Sequence, residues 1–278
     1  MTKINMKLTL NDHKNQLIAL AIFAIAYVPV FMVMWYRWWA ADSYYSHGVL
    51  IPFVSAFFIW QMKDELIKMK PKESPWAFGV ILAGVVLYLF ASVFRVNFIA
   101  AFSMLFVLTG LILYFYGTEI FKKIAFPILF LFFMIPLPSV IITRLSFKLK
   151  LFAAELATHV IRAIGIKVVQ AGSIIQMPHA HVVVDDVCSG LRSLISLLAL
   201  GSIFAYWFKG PVWKRLLIFV LTVPIAIVTN MVRVVILAVV SEIWGAQYAE
   251  GFVHDATGLL VFVLAFILLY VVVKLIEE

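Results

Sequence analysis

The amino-acid sequence predicts an all-α polytopic membrane protein of about eight transmembrane helices, with an amphipathic interfacial helix and a small extracytoplasmic β-element. Three observations carry this expectation. Hydrophobic residues make up 65% of the 278 and charged residues only 13%, more apolar surface than one soluble core can bury. Apolar runs recur at lengths near the roughly 20 residues that a helix needs to cross a hydrocarbon core ~30 Å thick. The basic residues collect in short loops between those runs, so the net charge of +8 is assigned to lipid headgroups and topology. No nucleic acid is expected as a partner.

The expected spans are Leu17–Tyr36, Val49–Gln61, Trp76–Phe94, Phe98–Tyr116, Ile124–Val140, Cys188–Phe208, Leu216–Val240 and Ala256–Val273. Residues 1–16 carry Lys3, Lys7 and Lys14. They read as a cytoplasmic tail before a retained first span, because no small-residue cleavage site follows. Positively charged short loops stay on the cytoplasmic side. Alternation then puts Lys63 to Lys72, Lys122 and Lys123, Lys209 to Arg215 and Lys274 inside, together with both termini. The loop Ser241 to Asp255 has acids and no lysine or arginine, as an outer loop should.

The segment 141–187 does not read as a simple span. Arg144, Lys148, Glu155, His159 and Arg162 recur at steps of three, four or seven in an otherwise mostly apolar run. That pattern is one stripe of an amphipathic helix, lying in the outer interface or dipping into the bundle. After Gly165 the period shortens. Ile166–Gln170, Ser173–Met177 and His181–Asp185 are β-favouring runs separated by Ala171-Gly172 and Pro178.

Polar groups at membrane depth are costly and mark candidate sites. Arg233 lies inside the seventh span, in its outer half if the spans alternate. Cys188 opens the sixth span from outside, and His254 immediately precedes the eighth from outside. A thiol at a helix N-terminus feels the positive end of the helix dipole, and a nearby guanidinium favours thiolate. Ser189 and Gly190 leave the approach to sulfur open, and Arg192, four residues on, is expected to share the helix face with Cys188. His254 could take the thiol proton and pass it to a leaving amine. Arg233 could donate to the oxyanion of a tetrahedral intermediate.

Each residue also has a plain reading. A lone cysteine in a hydrophobic protein is usually a packing residue, and Arg233 could be half of a structural ion pair with Glu242 or Asp255. His254 could be an interfacial loop residue, His13 and His179 solvated loop residues, and Asp185 and Asp186 helix caps. The single cysteine and the absence of paired histidine spacing leave no metal or cofactor expected.

The stretch Asp186-Val187-Cys188-Ser189-Gly190-Leu191-Arg192-Ser193-Leu194, then Asn230-Met231-Val232-Arg233-Val234, then His254 resembles the exosortase/archaeosortase family. Tyr44-Tyr45-Ser46-His47-Gly48-Val49-Leu50-Ile51-Pro52 and Ile135-Pro136-Leu137-Pro138 resemble it too, in the same order. The resemblance implies a single integral-membrane domain over 1–278; some family members carry an additional C-terminal domain, and none is expected here. It also implies a membrane cysteine protease or transpeptidase that sorts exported proteins bearing a C-terminal PEP-CTERM-like signal. Its partners would be the transmembrane tails of those substrates, the lipid bilayer, and an acceptor amine or water. Cys188 would be the nucleophile, Arg233 the transition-state stabiliser and His254 the general acid/base, at the extracytoplasmic face of the cell membrane. Arg192, Asn230, Ser189, His47 and Asp186 would line the site. Two other classes compete: an ion- or proton-coupled transporter using Arg233 and His254, for which Cys188 is dispensable, and a non-catalytic exopolysaccharide assembly factor, which needs none of the three. A rhomboid-type serine protease is disfavoured, since no Gly-x-Ser-Gly lies in a span.

Overall fold

A computed structural model describes residues 2–40, 43–185, 190–249 and 251–277, with side chains described from residue 14 onward. The chain divides into two compact units, Met1–Pro138 and Ser139–Glu278.

The first unit contains α1 (Thr2–Ala26), α2 (Val28–Trp39), α3 (Ile51–Gln61), α4 (Lys63–Leu66), α5 (Ala77–Phe94), α6 (Asn97–Phe115) and α7 (Gly117–Phe130). The first expected span is a bent pair. Helix α1 breaks from α2 at Tyr27 with a bend of 57°, where Pro29 removes a backbone donor and its ring collides with the preceding turn. The Tyr27 hydroxyl bridges to Ser103 on α6 at 3.0 Å. Helices α5 and α6 form a close hairpin through two glycines. A methyl group added to Gly84 would stand 2.6 Å from a Val107 methyl, and one added to Gly110 would stand 2.5 Å from Ile81 Cγ1.

Two expected spans come out shorter than predicted. At about 1.5 Å per residue, the 11 residues of α3 extend only about 16 Å, half a hydrocarbon core. The fifth, Ile124–Val140, is not one helix. Helix α7 passes into a 3-10 turn at Leu131–Met134, and the chain is extended through Pro136-Leu137-Pro138, because two prolines cannot continue the ladder.

The second unit contains α8 (Ser139–Ala163), β1 (Val169–Ala171), β2 (Ile174–Gln176), β3 (His181–Val183), α9 (Leu191–Trp207), α10 (Val212–Trp244), α11 (Ala246–Ala249) and α12 (Phe252–Glu277). The expected amphipathic helix is α8, and the three expected β runs form an antiparallel meander in order β1-β2-β3. Ile175 pairs with Gln170 on one side and Val182 on the other. The sheet is not free-standing. Val168, Ile175 and Val184 form one buried cluster with Ala153, Ala154, Ala157 and Ile161 of α8 and Val234 and Ala238 of α10. Small alanines on α8 let its backbone approach the sheet and α10 closely.

Helices α5, α6, α10 and α12 are each long and apolar enough to cross a membrane. Lys14–Ala26 with Val28–Trp39, and Gly117–Met134 with Ser139–Ala163, raise the number of candidate spans to six when each pair counts as one. The chain is thus a multi-pass helical membrane protein with four to six candidate spans among the described residues, where about eight were expected. Val49–Gln61 is already short in the sequence; apolar composition alone did not reveal the interruption after α7.

Because Ile161 and Ile175 are fully buried in the cluster that joins α8, the sheet and α10, truncating either to alanine should destabilise the second unit by about 2–5 kcal/mol. Thermal unfolding in detergent checks this. Alanine at exposed Val169 serves as the control and should leave the melting temperature unchanged.

Candidate active site

Two contacts of the second unit involve the expected site residues, Gly190 with Asn230 and Arg233 with His254. Helix α9, expected to open at Cys188, begins instead at Leu191, with Gly190 as its N-cap in the left-handed region at φ +80°. Glycine is required there twice over. Positive φ strains any L side chain, and a Cβ would stand 2.7 Å from Asn230 Cγ and 2.8 Å from its Nδ2. The buried Asn230 side chain of α10 therefore lies directly against the backbone that leads into α9. The Gly190 carbonyl accepts from the Leu194 amide at 2.8 Å and the Ser193 hydroxyl at 2.9 Å, which fixes the first turn. Cys188, Ser189 and Asp186 lie outside the described residues. The expectation that Cys188 and Arg192 share a helical face loses its basis, since α9 starts after Cys188.

Arg233 follows Asn230 by three residues, one turn further along α10. Its Nη2 donates to His254 Nε2 at 3.0 Å. His254 is the third residue of α12, and its carbonyl accepts from the Thr257 hydroxyl at 2.9 Å. Arginine has no acceptor and stays protonated. The contacted Nε2 must therefore present its lone pair, and neutral His254 carries its proton on Nδ1. That nitrogen is 3.7 Å from Asp255 Oδ1. An arginine in an apolar helix costs about 2.5–3.5 kcal/mol by insertion scales, and a hydrogen bond involving a charged group returns about 1.5–3 kcal/mol. The imidazole thus offsets much of the cost.

The alternative pairing of Arg233 with an acid does not occur among the described residues. Glu242 is occupied by His179, whose backbone amide donates to the two carboxylate oxygens at 3.0 and 3.3 Å and whose Nδ1 is 2.8 Å away. His179 is exposed, as a loop residue should be, yet it clips the β2–β3 turn to the end of α10. Sequence spacing gave no sign of that clip. Arg192 is half-buried in the first turn of α9. Its Nε, like that of Arg233, is buried with no hydrogen-bond partner among the described residues. A narrow crevice, with a cavity volume of only about 10 Å³, is lined by Leu149, Phe152, Leu194, Ala226, Gly190 and Asn230 among others and adjoins the start of α9.

His47 belongs to the first unit, where the upstream motifs interlock. Trp38 Nε1 donates to the Met134 carbonyl at 2.9 Å, and the Leu137 amide donates to the Tyr45 hydroxyl at 3.1 Å. Gly48 lies under the Trp38 indole, where a Cβ would be 2.3 Å from Nε1. His47 stacks on Tyr45 with ring centroids 5.9 Å apart and hydrogen-bonds the Phe133 backbone. Burial lowers its pKa to about 4, and that hydrogen bond only partly opposes the shift. His47 is therefore neutral near pH 7 and holds a turn. Trp38 and Tyr45, its structural partners, were not among the expected site residues.

A family model described as transmembrane exosortase matches residues 38–271, from Trp38 to within α12. The chain belongs to the exosortase family. No curated protein and no solved structure matches it. Both halves of the site geometry, Gly190 against Asn230 and Arg233 against His254, fall inside the matched range, as do the interlocked upstream motifs.

Two outcomes follow for this exosortase. Gly190→Ala should lower the melting temperature more than Gly172→Ala, although both glycines have positive φ, because only Gly190 abuts a side chain; equal losses would leave φ strain as the sole cause. His47 binds a proton more weakly when folded than when unfolded, near 6.5. Its contribution is thus complete above about pH 6.5 and is lost as pH falls toward 4, by at most roughly 3 kcal/mol. Melting curves at pH 7 and 4.5 should show a smaller acid shift for His47→Gln than for the unaltered protein.

Proposed function

We propose that this exosortase is a membrane cysteine peptidase or transpeptidase acting on exported proteins that carry a C-terminal transmembrane tail of the PEP-CTERM type. Cys188 is the nucleophile, His254 the general acid/base and Arg233 the oxyanion donor. The reaction takes place at the extracytoplasmic membrane face, with both termini cytoplasmic. The observation that carries the reading is the 3.0 Å contact between Arg233 and His254, one turn of α10 from the residue that abuts Gly190. It pairs a charged donor with an imidazole, and Gly190, which abuts Asn230, is two residues from Cys188 in the sequence.

The same contact suggests an order of events. While Arg233 donates to Nε2, that lone pair is occupied and the base is masked. An arriving peptide carbonyl offers Arg233 a better acceptor, since charge develops on its oxygen in the transition state. Nε2 is then released to take the Cys188 thiol proton. Sulfur bonds to the carbonyl carbon, and the tetrahedral oxyanion collapses. The peptide C–N bond breaks as His254 returns the proton to the departing amine, leaving an acyl thioester. An acceptor amine or water attacks that thioester, gives its proton to His254 and regenerates the thiol. The transporter reading requires an ion path through Arg233. It is less well supported, because Arg233 pairs with an imidazole and with no carboxylate among the described residues.

Co-expression of each variant with a tailed substrate tests the proposal. Cys188→Ala should abolish processing, and Cys188→Ser should leave a small residue of activity; full processing by the alanine variant removes the enzyme reading. Arg233→Lys should lose roughly 10²–10³-fold in rate, because lysine lacks the planar donor fork. Near-normal turnover by that variant would take Arg233 out of the oxyanion role.

A further inference from the structure

We propose that the first half of α8 is a binding surface for anionic phospholipid headgroups, with Arg144 and Lys148 as the phosphate-contacting residues. The inference is independent of the proposed chemistry. Arg144 and Lys148 stand four residues apart, on one face one turn apart, and both are exposed. Neither forms an ion pair among the described residues. Lys122, Lys123 and Lys274, by contrast, are paired with Glu119 at 2.7 Å, Glu65 at 3.0 Å and Glu277 at 2.7 Å.

The surroundings of the two cations identify the partner. Val140, Ile141, Leu145, Phe147 and Phe152 are large apolar side chains exposed on the same stretch of α8, while Ile142, Ser146 and Ala153 form its buried side. The Lys150 ammonium lies 5.7 Å from the Phe147 ring centroid, so this lysine runs along an aromatic surface. Exposed aliphatic and aromatic groups call for hydrocarbon, and cations among them call for an anion at the same depth. The boundary between acyl chains and headgroups supplies both, with apolar groups buried and basic side chains snorkelling to phosphate. The guanidinium fork matches a phosphate, and Lys148 adds a point charge beside it. Zwitterionic lipids lack the net negative charge that two neighbouring cations favour.

Native mass spectrometry of the full chain released from nanodiscs of equal phosphatidylglycerol and phosphatidylcholine tests this. The unaltered protein should retain phosphatidylglycerol preferentially. The Arg144→Gln/Lys148→Gln variant should lose that preference by about 10-fold or more, given the attraction per basic residue near an anionic surface. Arg144→Lys/Lys148→Arg keeps both charges and should keep the preference, which separates charge loss from misfolding. Lys122→Gln/Lys123→Gln should also keep it. Undiminished retention by the double glutamine variant overturns the proposal, as does equal loss in the Lys122/Lys123 variant. Displacement of phosphatidylglycerol by millimolar inorganic phosphate would instead assign a site for free phosphate and overturn it as well.

Discussion

A guanidinium carried on an apolar helix has to be given an acceptor, and in this exosortase the acceptor is a neutral imidazole. That single contact ties α10 to the start of α12. Because arginine can only donate, it also dictates which nitrogen of His254 carries the proton. A carboxylate would have neutralised Arg233 and closed the site electrostatically. An imidazole leaves the positive charge intact, as the proposed oxyanion role of Arg233 requires.

The same helix α10 also meets the N-terminus of α9 and the sheet. Gly190 has no side chain and adopts a backbone conformation open to few other residues, so the chain can enter α9 directly against Asn230. Small residues on α8 admit the sheet, whose inner side rests on α8 and on the last turns of α10. The clip from His179 to Glu242 fastens the sheet's turn to the same end of α10. A membrane helix gains little hydrophobic drive from packing against another. Close small-residue contacts and buried hydrogen bonds are therefore the means by which such a unit keeps one arrangement.

In the first unit the two upstream family motifs interlock. The run from Tyr44 to Pro52 and the run from Ile135 to Pro138 carry much of the upstream resemblance, yet their side chains hold one another. Tryptophan and backbone amide donors reach across to a carbonyl and a phenol. His47, expected to line the site, stacks on Tyr45 and hydrogen-bonds the Phe133 backbone, and burial keeps it neutral near pH 7. The prolines that make the second motif recognisable are also what end α7 as a continuous span.

Composition and hydropathy alone determined that the chain is a multi-pass helical membrane protein, because apolar length against bilayer thickness is a one-dimensional property. Period changes likewise marked α8 and the three strands, since helix and strand repeats are written locally. Alternation of spans even assigned Arg233 and His254 to a common depth. Sequence could not say that they touch, that Glu242 is spent on His179, or that the helix after Cys188 starts three residues late. Those outcomes depend on which side chains meet across helices far apart in the chain, and on whether a residue without a Cβ is needed at the crossing. Nor could sequence say which apolar runs fold as one straight helix: the fifth expected span is divided by a 3-10 turn and an extended proline segment. Only the packed tertiary structure decides that.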